Sequence, residues 1–273
     1  MITENDFDWS VTERDIVIVL PSVGRKVQLI PGLKRLITTT ALPKENWRIV
    51  VMNNCCHEDL SDLQCLNCSY FTLSKSLQTN YLNGGYARNY VLKRLRSKRV
   101  IFRDAEIFHD GDYLSYANQL PVDAVGELFA ANQVYYNGIV GGVSVTASPE
   151  VTRAIIDNPM VDLRTIARIF RMRSYEGMNG YGWIAPTKML QDMRGFDEDF
   201  DEWGMEDSDI FDRIKASGRP VIRMPQGYPV YATHLFHPPA PFPSGKACRI
   251  YKEKDPNQLI RNPNGWGEWK TCD

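Results

Sequence analysis

Hydrophobic residues follow two rhythms along the first hundred positions. Ile16 to Leu20 form a continuous apolar run closed by Pro21, and similar short runs recur at Arg48 to Met52, Tyr70 to Leu73 and Arg99 to Phe102. A short run without polar alternation reads as a strand covered on both faces, the kind found in parallel sheets. Between the first two runs, Leu29, Leu33, Leu36 and Ile37 share one helical face. Between the last two, Ala87, Tyr90, Val91, Arg94 and Leu95 repeat the spacing of an amphipathic helix, with the aliphatic stem of Arg94 completing the stripe. Strands alternating with helices predict βαβ units and an α/β fold with a mostly parallel central sheet flanked by helices.

After Asp104 the rhythm changes. Residues 124–147 are rich in Val, Tyr, Phe and Thr, broken by Gly138, Gly141 and Gly142, and read as strands joined by tight turns. Residues 149–173 are mixed helical and basic, with Arg153, Arg164, Arg168, Arg171 and Arg173 read as a solvated face. Residues 206–217 read as a helix with Ile210, Phe211 and Ile214 inward and Gly218 as its stop. Gly84-Gly85 reads as a loop entering a helix at 86, and the Pro- and Gly-rich stretch beyond Pro238 as a tail lying on the domain.

Charge and composition narrow the function classes. The 273 residues carry 32 Lys+Arg against 33 Asp+Glu, a formal charge of −1, which leaves no net positive field to attract nucleic acid. The chain is long enough to bury a core without disulfide staples. Its polar first ten residues lack the pattern of a signal peptide, and no apolar run reaches the ~18 residues of a membrane span. The expectation is a soluble, cytoplasmic protein. Cys55, Cys56, His57, Cys65 and Cys68 could supply zinc ligands, but adjacent cysteines make a poor tetrahedral pair, and a loop with free thiols is the preferred reading.

In open α/β sheets, ligands bind at the carboxyl ends of the strands. Polar residues gather at four such places: Pro21-Ser22-Val23-Gly24-Arg25, Asn53-Asn54, Asp104-Ala105-Glu106 and His234-Leu235-Phe236-His237. Two carboxylates one residue apart can hold a divalent cation through oxygen ligands, and imidazole joining them suits Mn²⁺. The segment from Gly195 to Asp207 is dense in glycine, aromatics and acids, and places Glu206 and Asp207 at the start of a helix. Aromatic faces stack on sugar rings, and a carboxylate can deprotonate a hydroxyl as general base.

These motifs in this order, with Ala87-Arg88-Asn89 among them, resemble the GT-A-fold glycosyltransferases. The set is similar to family 2. The Trp203-Gly204-x-Glu206-Asp207 block also resembles the β-1,4-galactosyltransferases and the polypeptide N-acetylgalactosaminyltransferases. The resemblance spans about residues 15–237. It implies a metal-dependent, inverting enzyme that moves a sugar from a nucleotide-sugar donor, a UDP-sugar, to a hydroxyl of a glycan or glycoconjugate, with Mn²⁺ or Mg²⁺ as cofactor.

The roles it implies are as follows. Pro21, Ser22 and Arg25 match the first-strand nucleotide loop, and Asn54 stands where the uracil edge is read. Arg88, Ala105, Trp183 and Gly195 lie near the donor. Asp104 and Glu106 match a D-x-D motif on the metal, Glu being the departure from it, with His237 the late histidine ligand and His234 the second choice. Asp207 matches the catalytic base and Glu206 its neighbour. Trp203, Gly204 and Tyr181 line the sugar and acceptor. One catalytic domain is expected over 1–245, with a nucleotide half at about 12–106, an acceptor half at 107–245 and a tail from 246 to 273. A sugar-phosphate nucleotidyltransferase would share the sheet but needs a Gly-rich basic loop after the first strand, where this chain has only Ser22 to Lys26. A non-catalytic carbohydrate-binding relative would not need the retained acids.

Overall fold

The computed structural model describes residues 3–54, 58–73, 84–128, 134–140, 143–175, 182–200, 204–225, 227–238 and 245–268. The apolar runs become parallel strands β1 (Ile16–Ser22), β2 (Trp47–Asn53), β3 (Cys68–Thr72) and β4 (Arg99–Phe102), with α1 (Lys26–Thr39) and α2 (Gly84–Arg94) as connections. Next come β5 (Ile107–Asp110), α3 (Tyr113–Gln119), β6 (Val125–Glu127), β7 (Val134–Tyr136), β8 (Gly138–Val140) and β9 (Val143–Thr146). The basic stretch holds α4 (Pro149–Asp157) and α5 (Leu163–Ile169), capped by the side chains of Ser148 and Asp162. Then follow β10 (Arg173–Tyr175), β11 (Trp183–Pro186), α6 (Thr187–Asp192), α7 (Glu206–Ala216), β12 (Val221–Arg223), β13 (Tyr231–His234) and α8 (Gly245–Glu253). Among the described residues no helix is long and apolar enough to cross a membrane.

The central sheet has seven strands in the order β12-β6-β11-β4-β1-β2-β3, with β11 antiparallel to both neighbours. Alternation along β1 explains its unbroken apolar sequence. Ile16, Ile18 and Leu20 pack with Leu29, Leu33 and Leu36 of α1 on one face. Val17 and Val19 pack with Ala87 and Val91 of α2 and Ile210, Phe211 and Ile214 of α7 on the other. Each such fully buried aliphatic side chain contributes about 1.5–3 kcal/mol. The chain runs outward from β1 through β2 to β3, then returns to β4 on the other side of β1. That reversal opens a crevice at the carboxyl ends of β1 and β4.

A second sheet, β10-β7-β13-β5, forms the far wall of this crevice. It was not apparent from the apolar runs, because β5 and β13 are four residues each and pair antiparallel across a long stretch of sequence. Gly32 of α1 sets the close approach: a Cβ there would lie 2.8 Å from the Ile107 carbonyl oxygen of β5. The Leu235 amide donates to the Glu106 carbonyl at 2.9 Å, tying the end of β13 to the acidic turn after β4.

The C-terminal residues carry specific contacts. Trp266 packs in the core beside α2 and α7. Asn262 donates to the carbonyls of Arg194 and Phe196 and accepts from the Glu198 amide.

Candidate active site

Two polar clusters meet in the crevice. The first is built around Arg88 of α2. Its Nη2 donates to Asp104 Oδ1 at 2.8 Å, its Nη1 donates to Asp207 Oδ1 at 3.2 Å, and the same Nη1 lies 3.7 Å from Glu206 Oε1. Room for this arrangement comes from Gly84, where a Cβ would stand 3.1 Å from Glu206 Oε1 and 3.3 Å from Arg88 Nη1. The helix starts at this glycine, two residues before the sequence pattern suggested. The two acids come from the first turn of α7, where the helix N-terminus favours negative charge. That turn has no side-chain cap, and Met205 before it takes the left-handed conformation at φ 70°. Glu206 Oε2 accepts from the Gly204 amide at 3.0 Å.

Crowding of acids shows in their protonation. Burial pushes the Asp104 carboxyl up to about 7; Arg88 opposes this, and the negative charges of Asp207, Glu106 and Glu206 add to it. Burial and Asp207 likewise push Glu206 up to about 6. Burial works against the charge of Arg88, but Asp207, Asp104 and Glu206 outweigh it and hold the guanidinium firmly protonated.

The second cluster joins Glu106, His234, His237 and Arg25. One ligand atom from each of Glu106, His234 and His237 lies within 4.8 Å of the others. Arg25 Nε donates to Glu106 Oε1 at 2.6 Å, and its Nη2 lies 3.2 Å from His237 Nδ1. Burial pushes Glu106 up, but His234, His237 and Arg25 together outweigh it and leave its carboxyl below the usual value. Burial lowers His234 to about 4, so at neutral pH its imidazole is uncharged and able to coordinate a metal. A carboxylate with two imidazoles is a donor set that fits a divalent transition metal. Across both clusters, four acids (Asp104, Glu106, Glu206, Asp207) face two arginines (Arg25, Arg88), so 2 − 4 leaves a formal charge of −2.

The other expected residues divide. Pro21 and Ser22 are buried at the end of β1, and the Ser22 hydroxyl has no hydrogen-bond partner among the described residues. Asn54 is buried behind them, its amide donating to the Ser22 carbonyl at 2.9 Å. Ala105 does not face the crevice; its methyl is in the core. The chain turns at Ala105-Glu106, with the Ile107 amide donating to the Asp104 carbonyl at 3.3 Å, so Asp104 goes to Arg88 and Glu106 to the histidines, and Asp104 lies outside the metal-capable group found among the described residues. Trp183, expected over the donor, is walled in by Phe102, Phe196 and Phe211 at 1% exposure and is a core residue. Gly195, also expected near the donor, packs against Asn89: a Cβ would lie 2.1 Å from Asn89 Oδ1, and the residue sits at φ +67°. Its conformation and packing account for it without a ligand.

Among the described residues of the acidic segment, Gly204, Glu206 and Asp207 reach the Arg88 cluster. Asp197 lies by Lys254 and Arg261, and Glu198 accepts from Asn89 and the Gly267 amide. Trp203 and Tyr181 fall outside the described residues, as do Cys55, Cys56 and His57. Gly84 and Gly32 were missed as site-shaping positions; a glycine inside a helical pattern was the available signal.

Comparison with known proteins points the same way. The family described as the N-terminal domain of galactosyltransferase matches residues 164–238. Mouse (Mus musculus) chondroitin sulfate synthase 3 is 24% identical over 239 residues, which is 83% of this chain and 25% of that protein. Staphylococcus aureus TarS is similar in structure, with a TM-score of 0.54 at 18% identity, over 80% of this chain and 36% of TarS. So is the mannosyltransferase PcManGT of Pyrobaculum calidifontis, with a TM-score of 0.50 at 15% identity, over 91% of this chain and 65% of that one. The chain thus spans about a quarter of the curated relative and about a third of full-length TarS. Sheet order and these solved structures agree on the GT-A fold, and the matched family segment and the curated relative show that the chain is similar to glycosyltransferases.

Proposed function

We propose that the chain moves a sugar from a UDP-sugar to a hydroxyl of a glycan or glycoconjugate, with inversion, and that it uses a divalent cation, Mn²⁺ or Mg²⁺. The observation that carries this reading is the Glu106, His234 and His237 set beside an acid-rich crevice. An acidic site cannot hold a diphosphate unless a cation stands between them. Supporting it, TarS has been seen with UDP and with UDP-GlcNAc, and PcManGT with GDP-Man and Mn²⁺.

Glu106, His234 and His237 would hold the cation. When bound, it would neutralise charge on the departing diphosphate. Asp207 accepts the proton of the acceptor hydroxyl as that oxygen bonds to the sugar carbon; the bond from that carbon to the diphosphate breaks, and the nucleoside diphosphate leaves. One base and one displacement give inversion. Arg88 holds Asp207 and Asp104 on a common frame. Ser22, with its unsatisfied hydroxyl, and Arg25 stand at the end of β1, where the nucleotide enters.

Calorimetric titration of UDP with and without Mn²⁺, followed by a panel of nucleotide sugars assayed for sugar release, tests the proposal. Metal-dependent UDP binding is expected. UDP binding that is absent, or indifferent to Mn²⁺, would overturn it.

A further inference from the structure

The base-bearing turn of α7 is poorly held by its own residues. Its N-cap has no side-chain bond, Met205 before it is a non-glycine residue at φ 70°, and three acids (Glu206, Asp207 and Asp209) crowd its first turn. Left-handed geometry at a residue with a Cβ costs about 1–3 kcal/mol and persists only where the surroundings over-determine it. From the front, Arg88 holds Glu206 and Asp207. From behind, the hold comes through Asp209, which is 3% exposed and binds two arginines.

One of these, Arg213, belongs to α7 itself: its Nε donates to Asp209 Oδ2 at 2.7 Å and its Nη2 to the Gly195 carbonyl at 2.9 Å. The other, Arg261, comes from the C-terminal segment. Its side chain is 2% exposed, with Nη2 3.3 Å from Asp209 Oδ1 and Nε 3.8 Å from Asp197 Oδ2. Arg261 is also oriented by its own segment, donating to Gln258 Oε1 at 3.0 Å and to the Asp255 carbonyl at 2.6 Å. It thus bridges two acids, one on the loop entering the Gly204–Asp207 segment and one on the helix leaving it. Both acids are enclosed; Asp209 also pairs with Arg213 at 2.7 Å and Asp197 with Lys254 at 2.9 Å, and Arg261 is the cation the two acids share.

We propose that Arg261 is a positioning residue: seated between Asp197 and Asp209, it fixes the first turn of α7 from behind and so sets where Asp207 stands. This rests on the reading of Asp207 as the base. It also assigns the 254–268 segment a part in the reaction although no residue of it need touch substrate. The acids Asp197 and Glu198 are then anchor points for that segment.

The test uses the full chain with Arg261→Met and Arg261→Lys. For Arg261→Met, kcat for sugar release from the donor falls by about 10- to 100-fold while the Kd for UDP with Mn²⁺ stays within about twofold, because displacement of a base by an ångström slows chemistry without removing donor contacts. Hydrogen exchange speeds up at the amides of 206–210 and not in β1, β2 and β4. Arg261→Lys keeps the charge and recovers most of the rate. If Arg261→Met fails to fold, Arg261→Gln takes its place: a fall in kcat of at least about tenfold with unchanged UDP affinity supports the proposal, and wild-type kcat overturns it. A folded methionine variant with wild-type kcat, or with exchange raised evenly across the sheet, also overturns it. A wild-type protein that neither binds UDP nor releases sugar refutes the reading of the site instead. Exchange at 206–210 still reads the positioning role in that case.

Discussion

Arg88 offers the sharpest measurement of what holds the crevice together. Arg88→Met keeps most of the side-chain volume and removes the charge. The guanidinium is 5% exposed and makes charge-assisted hydrogen bonds to Asp104 at 2.8 Å and Asp207 at 3.2 Å, with Glu206 at 3.7 Å. Two hydrogen bonds to charged groups at about 1.5–3 kcal/mol each give about 3–6 kcal/mol. Breaking a buried pair from one side gives about 3–5 kcal/mol by an independent route. Asp104 and Asp207 are both partly open to solvent, which screens their share, so the lower end applies: about 3 kcal/mol at pH 8. The loss depends on pH with a definite sign. Neutral carboxyls need no counter-charge, and Asp104 and Glu206 titrate at about 7 and about 6, so the difference between variant and wild type shrinks as pH falls toward 5. Urea unfolding followed by far-ultraviolet circular dichroism at pH 5 and pH 8 measures both quantities. A difference below about 1 kcal/mol at pH 8, or one equal at the two pH values, would refute the reasoning, because it would mean the three acids are solvated without Arg88.

Four further outcomes are expected. Glu206 has its pKa raised from 4.5 to about 6, so its charged form is disfavoured in the folded state; it costs nothing below pH 4.5 and about 2 kcal/mol above pH 6. Glu206→Gln therefore gains stability between pH 5 and pH 8 relative to wild type, and equal urea midpoints at pH 8 would contradict this. Asp207→Asn abolishes sugar transfer while UDP binding with Mn²⁺ persists; wild-type turnover would remove Asp207 from its role. His237→Ala weakens Mn²⁺-dependent UDP binding and leaves metal-free binding unchanged, and superimposable titrations would move the cation elsewhere. Gly195→Ala meets both the φ of +67° and Asn89 Oδ1 at 2.1 Å, and loses about 3 kcal/mol in urea unfolding.

Local rhythm was a good guide wherever strands are covered on both faces. β1, β2 and β4 are legible because their central residues are covered on both faces and must be apolar, and α2 and α7 because one stripe must be. The second sheet was not legible: β5 carries His109 and Asp110 within four residues, and what makes it a strand is its pairing with β13, far along the chain. The same limit applies to the site. Asp104, Glu106, Glu206 and Asp207 were readable as acids at element ends. Sequence could not say that the chain turns at Ala105-Glu106 and sends the two acids to different partners. Trp183 shows the converse: an indole suits a sugar site, but tertiary packing seats this one among three phenylalanine rings.

The pairing of β5 with β13 has a bearing on how the protein assembles. Glu106 comes from the turn after β4, whereas His234 and His237 come from the end of β13, so Glu106 and His234 stand 128 positions apart in the chain. The seven-stranded sheet is complete by β12, at Arg223, before either histidine has been added to the chain. Closing so long a loop carries an entropic cost that local contacts do not recover, so this junction forms late. Any cation held there grips the two sheets at the one place where they were last to join. Occupancy by the cation would then report that folding has finished, and its removal would loosen the second sheet before the first.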